Sequence, residues 1–395
     1  MKRYVGVIFL FICICMISGC SLFPDGTMNQ VEDNGVEGNQ TALKEKDGHI
    51  EGQLLNNMRV DADVVTYGDT EWKQLKATGK KYGQEQADQD ALVFQNKENI
   101  VESKSEDVGG YIRYEYSYDD GAYFYGDTYT MSYFRNKDKY VNSKRMYMYN
   151  RIFSSDSEIT ADLNQLFSVE ELEGVSKQDA INEVRQICKK LNINLSDIEP
   201  SVYVMDTEHM NQLIEQYTSL QYVMDLTTGN KERNVWTEED EEYYMTFYME
   251  MNGVPILAKG FSTETLYAAQ CEVTVVYGRD GIIKLNANRL YDFESAQDLE
   301  GTICSASEAL DSVAATYQYN TDTDFDISQI QLMYVVIGKE GQLKADKTEY
   351  TVRPYWACTM VYHKSKIPGS EEKDYHKKIT TLVDAVTKTV YKGAS

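Results

Sequence analysis

The sequence predicts an α+β chain built of helix-capped antiparallel β-sheets. Three observations carry that expectation. Two helix starts of the form Ser-x-x-acid each stand ahead of a series of apolar and aromatic runs of strand length. A tyrosine-rich stretch alternates with period two around turn signals. Hydrophobic residues make up 42% of the chain, enough for real cores, and 395 residues leave room for more than one domain.

Residues 1–20 read MKRYVGVIFLFICICMISGC. Lys2 and Arg3 form a short positive start, and Tyr4 to Ile17 is an almost unbroken apolar run, shorter than the roughly 20 residues a spanning helix needs. Small Ser18 and Gly19 then precede Cys20, and Ile17-Ser18-Gly19-Cys20 resembles the lipobox of bacterial lipoproteins. The resemblance implies that 1–19 is a removed signal peptide and that Cys20 is lipidated and becomes the mature N-terminus. The protein would then sit on the extracytoplasmic face of the cell membrane. Two acyl chains suffice for stable anchoring where one is marginal. From Cys20 to residue 53 the chain is rich in Gly, Asn, Asp and Glu without apolar period, so 20–53 is expected to be a disordered tether.

Residues 54–165 read as a mainly β region. Tyr111 to Tyr149 holds eleven tyrosines. Ile112, Tyr114, Tyr116 and Tyr118 alternate up to a turn at Asp119-Asp120-Gly121. Tyr123, Tyr125, Tyr129, Met131 and Tyr133 continue an alternating face, and Asn136 to Lys139 turns the chain before a further run from Tyr140 to Tyr149. Tyr114, Tyr116, Tyr123, Tyr125, Tyr129 and Tyr133 are the candidate ligand-face aromatics, since rings on an exposed sheet face stack on sugars or apolar peptides. The strand preference of tyrosine explains the enrichment equally, and that structural reading is favoured.

The remainder reads as a duplication, 166–293 and 294–395. In the first copy Ser176-x-x-Asp179 opens a helix through Val184 and Cys188; in the second Ser305-x-x-Glu308 opens one through Val313. Each helix is followed by a strand (Ser201–Met205; Leu332–Val336), an aromatic strand (Tyr243–Met249; Tyr355–Tyr362) and a closing hairpin (Val275–Leu285 through Arg279-Asp280-Gly281; Leu382–Tyr391 through Val386-Thr387-Lys388). The first copy adds a helix from Thr207 to about Val223 and a hairpin at Asn252-Gly253.

Thr351-Val-Arg-Pro354-Tyr355-Trp356, Leu382-Val-Asp384-Ala385-Val386-Thr387-Lys388 and the Met251-Asn252-Gly253-Val254-Pro255-Ile256 hairpin together resemble PepSY-like and YycH/YycI-like extracytoplasmic domains. The pattern departs from those families at Lys388, where they usually carry Gly. The whole chain is similar in type to uncharacterised lipoproteins of Gram-positive bacteria. This resemblance implies domains that bind or regulate and do not catalyse.

Charge and motifs narrow the function classes. The formal charge is −24, and removal of Lys2 and Arg3 with residues 1–19 leaves about −26, a balance that argues against nucleic acid. The four histidines, His49, His209, His363 and His376, stand in unrelated contexts with no HExxH and no Cys/His zinc spacing. Asn320-Thr-Asp322-Thr-Asp324-Phe-Asp326 has alternating oxygens but lacks the Gly and Glu of a calcium loop, and a solvated loop is favoured. No Gly-x-Ser-x-Gly elbow occurs, and Ser370-x-x-Lys373 lies in a charged loop. Cys188, Cys271, Cys304 and Cys358 remain after the leader cysteines and Cys20 are set aside; buried thiols and disulfides both fit their apolar contexts. No catalytic, cofactor or metal residue is therefore assigned. The expectation is a non-enzymatic binding or regulatory lipoprotein, with a membrane or wall protein as partner. The alternative is a carbohydrate or cell-wall glycan held on an aromatic sheet face.

Overall fold

The chain enters its first sheet earlier than its composition suggests. The computed structural model describes residues 43–68, 70–136, 144–153, 163–217, 220–221, 235–258, 260–263, 266–338, 349–364 and 375–392. Strands β1 (Lys44–Lys46) and β2 (His49–Leu55) form a hairpin across Asp47-Gly48, whose φ values of +54° and +79° suit that dipeptide. The expected tether thus gives way to sheet by Lys44, because Ile50 and Leu54 bury on one face of β2. In β3 (Met58–Val65), Met58, Val60 and Ala62 are buried and alternate with exposed Arg59, Asp61 and Asp63. Then come β4 (Lys73–Gly79) and helix α1 (Gln84–Ala91).

The tyrosine stretch forms the expected meander of β5 (Ile100–Asp107), β6 (Ile112–Tyr118), β7 (Tyr123–Gly126) and β8 (Thr130–Phe134). It does not continue as strand to Tyr149. Lys144–Phe153 is helix α2, and its buried Met148, Tyr149 and Ile152 follow helical spacing into a cluster with Met205, Leu213 and Trp236. A short helix α3 (Leu163–Leu166) follows.

Helix α4 (Lys177–Lys190) starts where its cap predicts, with Ser176 Oγ accepting from Asp179 N, and buries Ala180, Ile181, Val184 and Cys188. Next come β9 (Ser201–Met205) and α5 (Thr207–Gln216), capped by Asp206 Oδ1, which accepts from the Glu208 and His209 amides at 3.0 Å. Helix α5 ends at Gln216, short of the expected Val223, and residues 222–234 lie outside the described set. Strand β10 (Glu242–Tyr248) leads to β11 (Glu250–Met251) and β12 (Val254–Pro255), paired across Asn252-Gly253. After β13 (Phe261–Ser262) and β14 (Tyr267–Ala268), β15 (Glu272–Gly278) and β16 (Gly281–Asn288) turn at Arg279-Asp280 as expected, and β17 (Tyr291–Asp298) leaves for the other sheet.

Helix α6 (Ala306–Tyr317) has the full capping box: Ser305 Oγ accepts from Glu308 N, and Glu308 Oε2 accepts from Ser305 N. Lys388 Nζ reaches the same carboxylate at 2.6 Å; that contact first, then the Ser305 groups, hold the Glu308 carboxyl down at about 2. Strands β18 (Asp324–Gly338), β19 (Tyr350–Lys364), β20 (Tyr375–Asp384) and β21 (Val390–Tyr391) complete the chain. Lys388 adopts φ +60°, the left-handed region that glycine enters most readily, while Asp384 Oδ1 accepts from the Val386 and Thr387 amides.

The architecture is α+β, mostly sheet. One sheet has eight antiparallel strands in the order β5-β6-β7-β8-β16-β15-β10-β9. The larger sheet runs β1-β2-β3-β18-β19-β20-β21, with β4, β13, β14 and β17 joined to it off that path, and β3 lies parallel to β18. The region 54–165 is therefore not a sheet of its own. Its β5–β8 extend the sheet of β9, β10, β15 and β16, while its β3 and β4 belong to the sheet of β18 and β19. The largest buried cluster joins both sheets: Phe124, Met131, Tyr243, Met245 and Val275 from one, Tyr334, Val336, Tyr350 and Val352 from the other. A second core lies under α6, where Leu310 and Val313 meet Ile50, Met58, Ile330, Trp356 and Met360.

Removing the Ser305 hydroxyl leaves an orphan amide at the start of α6. Ser305→Ala is expected to lower stability by about 1 kcal/mol, read as a lower urea midpoint at unchanged slope.

Candidate functional site

The residues singled out in the sequence do not converge on one site. Cys20 lies outside the described residues. Four of the six candidate tyrosines, Tyr116, Tyr123, Tyr129 and Tyr133, are buried, while Tyr114 and Tyr125 are half-buried. They also divide between two faces. The register places Tyr116 beside Phe124 and Phe124 beside Tyr133, so these pack toward α1, where Tyr116 OH donates to Asp88 at 2.6 Å and Tyr133 stacks on Phe94 at 4.1 Å. Tyr123 and Tyr125 point the other way, with Phe134 beside Tyr123 and the Arg113 guanidinium 4.6 Å from the Tyr125 centroid. A continuous ligand face is excluded by the two-residue period: the turn at Asp119-Asp120-Gly121 returns the chain with Phe124, not Tyr123, opposite Tyr116. Cys188, Cys271, Cys304 and Cys358 are buried free thiols, and burial pushes those of Cys188 and Cys358 up to about 12. Among the described residues no group of three or more His, Cys, Asp and Glu could hold a metal ion.

A different place in the fold does gather charge and space. At Arg289 and Leu290 the chain leaves β16 in one sheet and enters β17 in the other. Arg289 takes φ +57° to make that turn. Leu290 N donates to Tyr129 O at 3.0 Å, and Lys80 N donates to Leu290 O at 3.2 Å, so three separate segments are tied at the crossing. Gly79 is opposite Tyr291 in the β4·β17 pairing, and a Cβ there would strike Thr128 and the Tyr129 ring. The crossing is therefore closed tightly on that side by glycine.

Two hollows flank the crossing, and Arg289 lines both. The larger, about 410 Å³, is lined by Lys80, Asn192–Asn194, Met249–Asn252, Ile256 and Arg289–Phe293. The smaller, about 360 Å³, is lined by Tyr111, Tyr129, Thr130, Gln270, Asn288, Arg289 and Tyr350. A relay of rings separates them: Tyr111 to Tyr129 at 6.0 Å, Tyr129 to Tyr291 at 6.4 Å and Tyr291 to Tyr350 at 5.1 Å, all edge-on. The Arg289 guanidinium lies 5.7 Å from the Tyr129 centroid. Two asparagines of the larger hollow sit in left-handed backbone, Asn192 at the end of α4 and Asn252 in the β11–β12 turn.

The electrostatics of the larger hollow centre on Lys80. Its Nζ is shut from water and, among the described residues, has no hydrogen-bond partner. Burial holds its pKa below the ordinary lysine value, against the attraction of Asp90 and Asp292. Asp90 is 1% exposed and accepts from Tyr82 OH and Gln86 Nε2, both at 2.9 Å; burial holds its carboxyl above the usual carboxylate range. Asp292 Oδ2 accepts from Lys81 N at 2.8 Å. Glu250, on another wall, is also raised, by burial first and then by Asp197, with Arg185 opposing. An unpartnered buried ammonium costs several kcal/mol unless something compensates it, so this is the least satisfied polar group of the crossing.

Lys80, Glu250 and the Arg289–Asp292 segment carry no motif and are far apart in sequence. The nearest local signal was the Asn252-Gly253 turn.

No protein-family model and no curated protein matches the chain. The fold is similar to that of an uncharacterized protein from Eubacterium rectale ATCC 33656, known from a crystal structure at 1.45 Å resolution. That likeness has a TM-score of 0.61 at 16% identity and covers 88% of this chain and 94% of the other, and it shows the fold alone.

Lys80→Met keeps the length of the side chain and removes the buried charge. It is expected to raise stability at pH 7 by roughly 1–3 kcal/mol. Because the folded pKa of Lys80 lies below the 10.5 of the unfolded chain, the unfolded chain binds more protons between the two values. Wild-type stability therefore gains from Lys80 as pH rises through that window, and the variant should lack this gain. Denaturant titrations of both chains from pH 7 to 9.5 measure the difference.

Proposed function

We propose that this chain is a lipid-anchored, extracytoplasmic binding module without catalytic activity, and that the larger hollow at the β16–β17 crossing is where it binds. The observation that carries the binding reading is Lys80: a buried cation with no acceptor among the described residues, at the wall of a hollow of small-molecule size. The hollow brings both signs of charge, asparagine amides and apolar walls together, the mixture that orients a ligand.

The anchor rests on the sequence alone, on Ile17-Ser18-Gly19-Cys20 behind its apolar run. In this reading Cys20 holds the protein to the membrane, and the acidic, glycine-rich stretch ahead of Lys44 spaces the body from the bilayer. The membrane is then one partner, and a membrane or wall protein that reads the bound state is another. A duplicated PepSY-like unit is supported by connectivity: α4 precedes the meander β9-β10-β15-β16, and α6 precedes the meander β18-β19-β20-β21. The alternative ligand, a wall glycan, is favoured by the smaller hollow, where Tyr111, Tyr129 and Tyr350 stand beside Gln270 and Asn288.

In its bacterial host the full chain is expected in the membrane fraction, and Cys20→Ala in the soluble extracytoplasmic fraction. Recovery of the variant in membranes at the wild-type level sinks the anchor. A thermal-shift screen of the full chain against amino acids, short peptides, sugars and wall fragments tests the binding reading. Failure of every class to shift the unfolding midpoint overturns it.

A further inference from the structure

Two charged side chains of the larger hollow, Lys80 and Glu250, lack a direct partner of opposite charge among the described residues. Lys80 Nζ has no hydrogen-bond partner among the described residues, and Glu250, on a separate segment of the wall, makes no salt bridge among them. Arg289 adds positive charge at the crossing, and Asp292, bonded to a backbone amide, adds negative charge beside it. The rest of the wall is asparagine amide and apolar surface, including Met249, Met251, Ile256 and Phe293.

Each simple ligand class fails against this wall. A bare anion satisfies Lys80 but meets Glu250 and Asp292, and it approaches a chain of formal charge −24. A bare cation meets Lys80 and Arg289. A neutral sugar supplies oxygens but no countercharge, so the buried ammonium keeps most of its desolvation cost. A ligand with one carboxylate and one ammonium compensates both signs at once. A polymer is disfavoured by size, since about 410 Å³ lies near the low end of small-molecule pockets.

We propose that this hollow takes a small zwitterion, an amino acid or dipeptide with an apolar side chain, its carboxylate toward Lys80 and Arg289 and its ammonium toward Glu250 and Asp292. The proposal rests on the binding reading above and gives it a ligand class. The four-carbon stem of Lys80 lets its amine swing into the hollow it lines when a carboxylate arrives. The apolar walls then receive the ligand side chain, whose burial adds about 25 cal/mol per Å². Burial raises the Glu250 carboxyl above the usual carboxylate range, and a ligand ammonium beside it favours its charged form.

Isothermal titration of the full chain with L-leucine, L-alanyl-L-leucine, N-acetyl-L-leucine and L-leucinamide tests this. At least one of the two zwitterions is expected to bind, and each singly charged analogue to bind about tenfold or more weakly. Lys80→Met should narrow the preference for leucine over leucinamide, and Glu250→Gln the preference for leucine over N-acetyl-leucine. A merely structural role for either residue would leave that discrimination intact. Equal affinity of the wild type for leucine and N-acetyl-leucine, or for leucine and leucinamide, overturns the zwitterion while leaving a binding site. Binding of N-acetylglucosamine with no heat from the four probes overturns it in the same way. Silence from every ligand overturns the binding reading as well.

Discussion

The crossing from β16 to β17 is the constraint on which the rest of the structure depends. Antiparallel sheets twist, and a chain that serves two of them must leave one pleat and enter another with a different direction. Here that change is concentrated in two residues, with Arg289 at φ +57° and Leu290 bonded to both Tyr129 and Lys80. The largest core is continuous across both sheets, so the angle between them is not free. Close-packed interiors tolerate few voids, yet two sheets diverging from a shared seam leave wedge-shaped space beside it. The two hollows flanking Arg289 are that space.

The edges of the sheets follow another constraint. Strand β5 closes the eight-stranded sheet with a nearly fully exposed face along Ile100–Asp107, and its charges (Glu102, Lys104, Glu106, Asp107) discourage pairing with another chain. Lys104 also bonds Glu115 of β6 at 2.9 Å, so the edge is tied inward. At one end of the larger sheet, β1 is short and wholly exposed. Two sheet ends, β5 and β1, are thus polar, and the −24 formal charge lies well away from zero; both oppose edge-to-edge association.

What was legible in the sequence was local. Ser176 and Ser305 marked the starts of α4 and α6 because a cap is a contact within one turn. Asp119-Asp120-Gly121, Asn252-Gly253 and Arg279-Asp280-Gly281 marked turns because glycine supplies backbone that other residues resist. The hairpin at Asp47-Gly48 carried the same signal, hidden in a polar stretch whose composition outweighed it. Lys144–Phe153 reads as strand in the sequence because Tyr147 and Tyr149 continue the alternation of the tyrosine-rich strands β6–β8 before it. Sheet membership was not legible at all. Nothing local says that β3 lies beside β18, or that β5–β8 dock on β16.

The candidate site was illegible for the same physical reason that makes it a site. Lys80 follows the last residue of β4, Glu250 begins a two-residue ladder, and Arg289 and Asp292 straddle the crossing; only the seam brings them together. Core residues are selected for mutual fit and satisfy one another, so their pattern repeats along an element and can be read from it. The Lys80 amine has no hydrogen-bond partner among the described residues, and burying it opposes folding. Asp90 and Asp292 attract it without touching it, which lowers the cost of the charge and leaves its donors unspent. A fold that wanted only stability would place an apolar side chain there, as Met249 and Ile256 are placed on the same wall. Retaining an ammonium at the divergence of two sheets, where space is inherent in the geometry, is the arrangement expected when the missing acceptor is brought by a ligand.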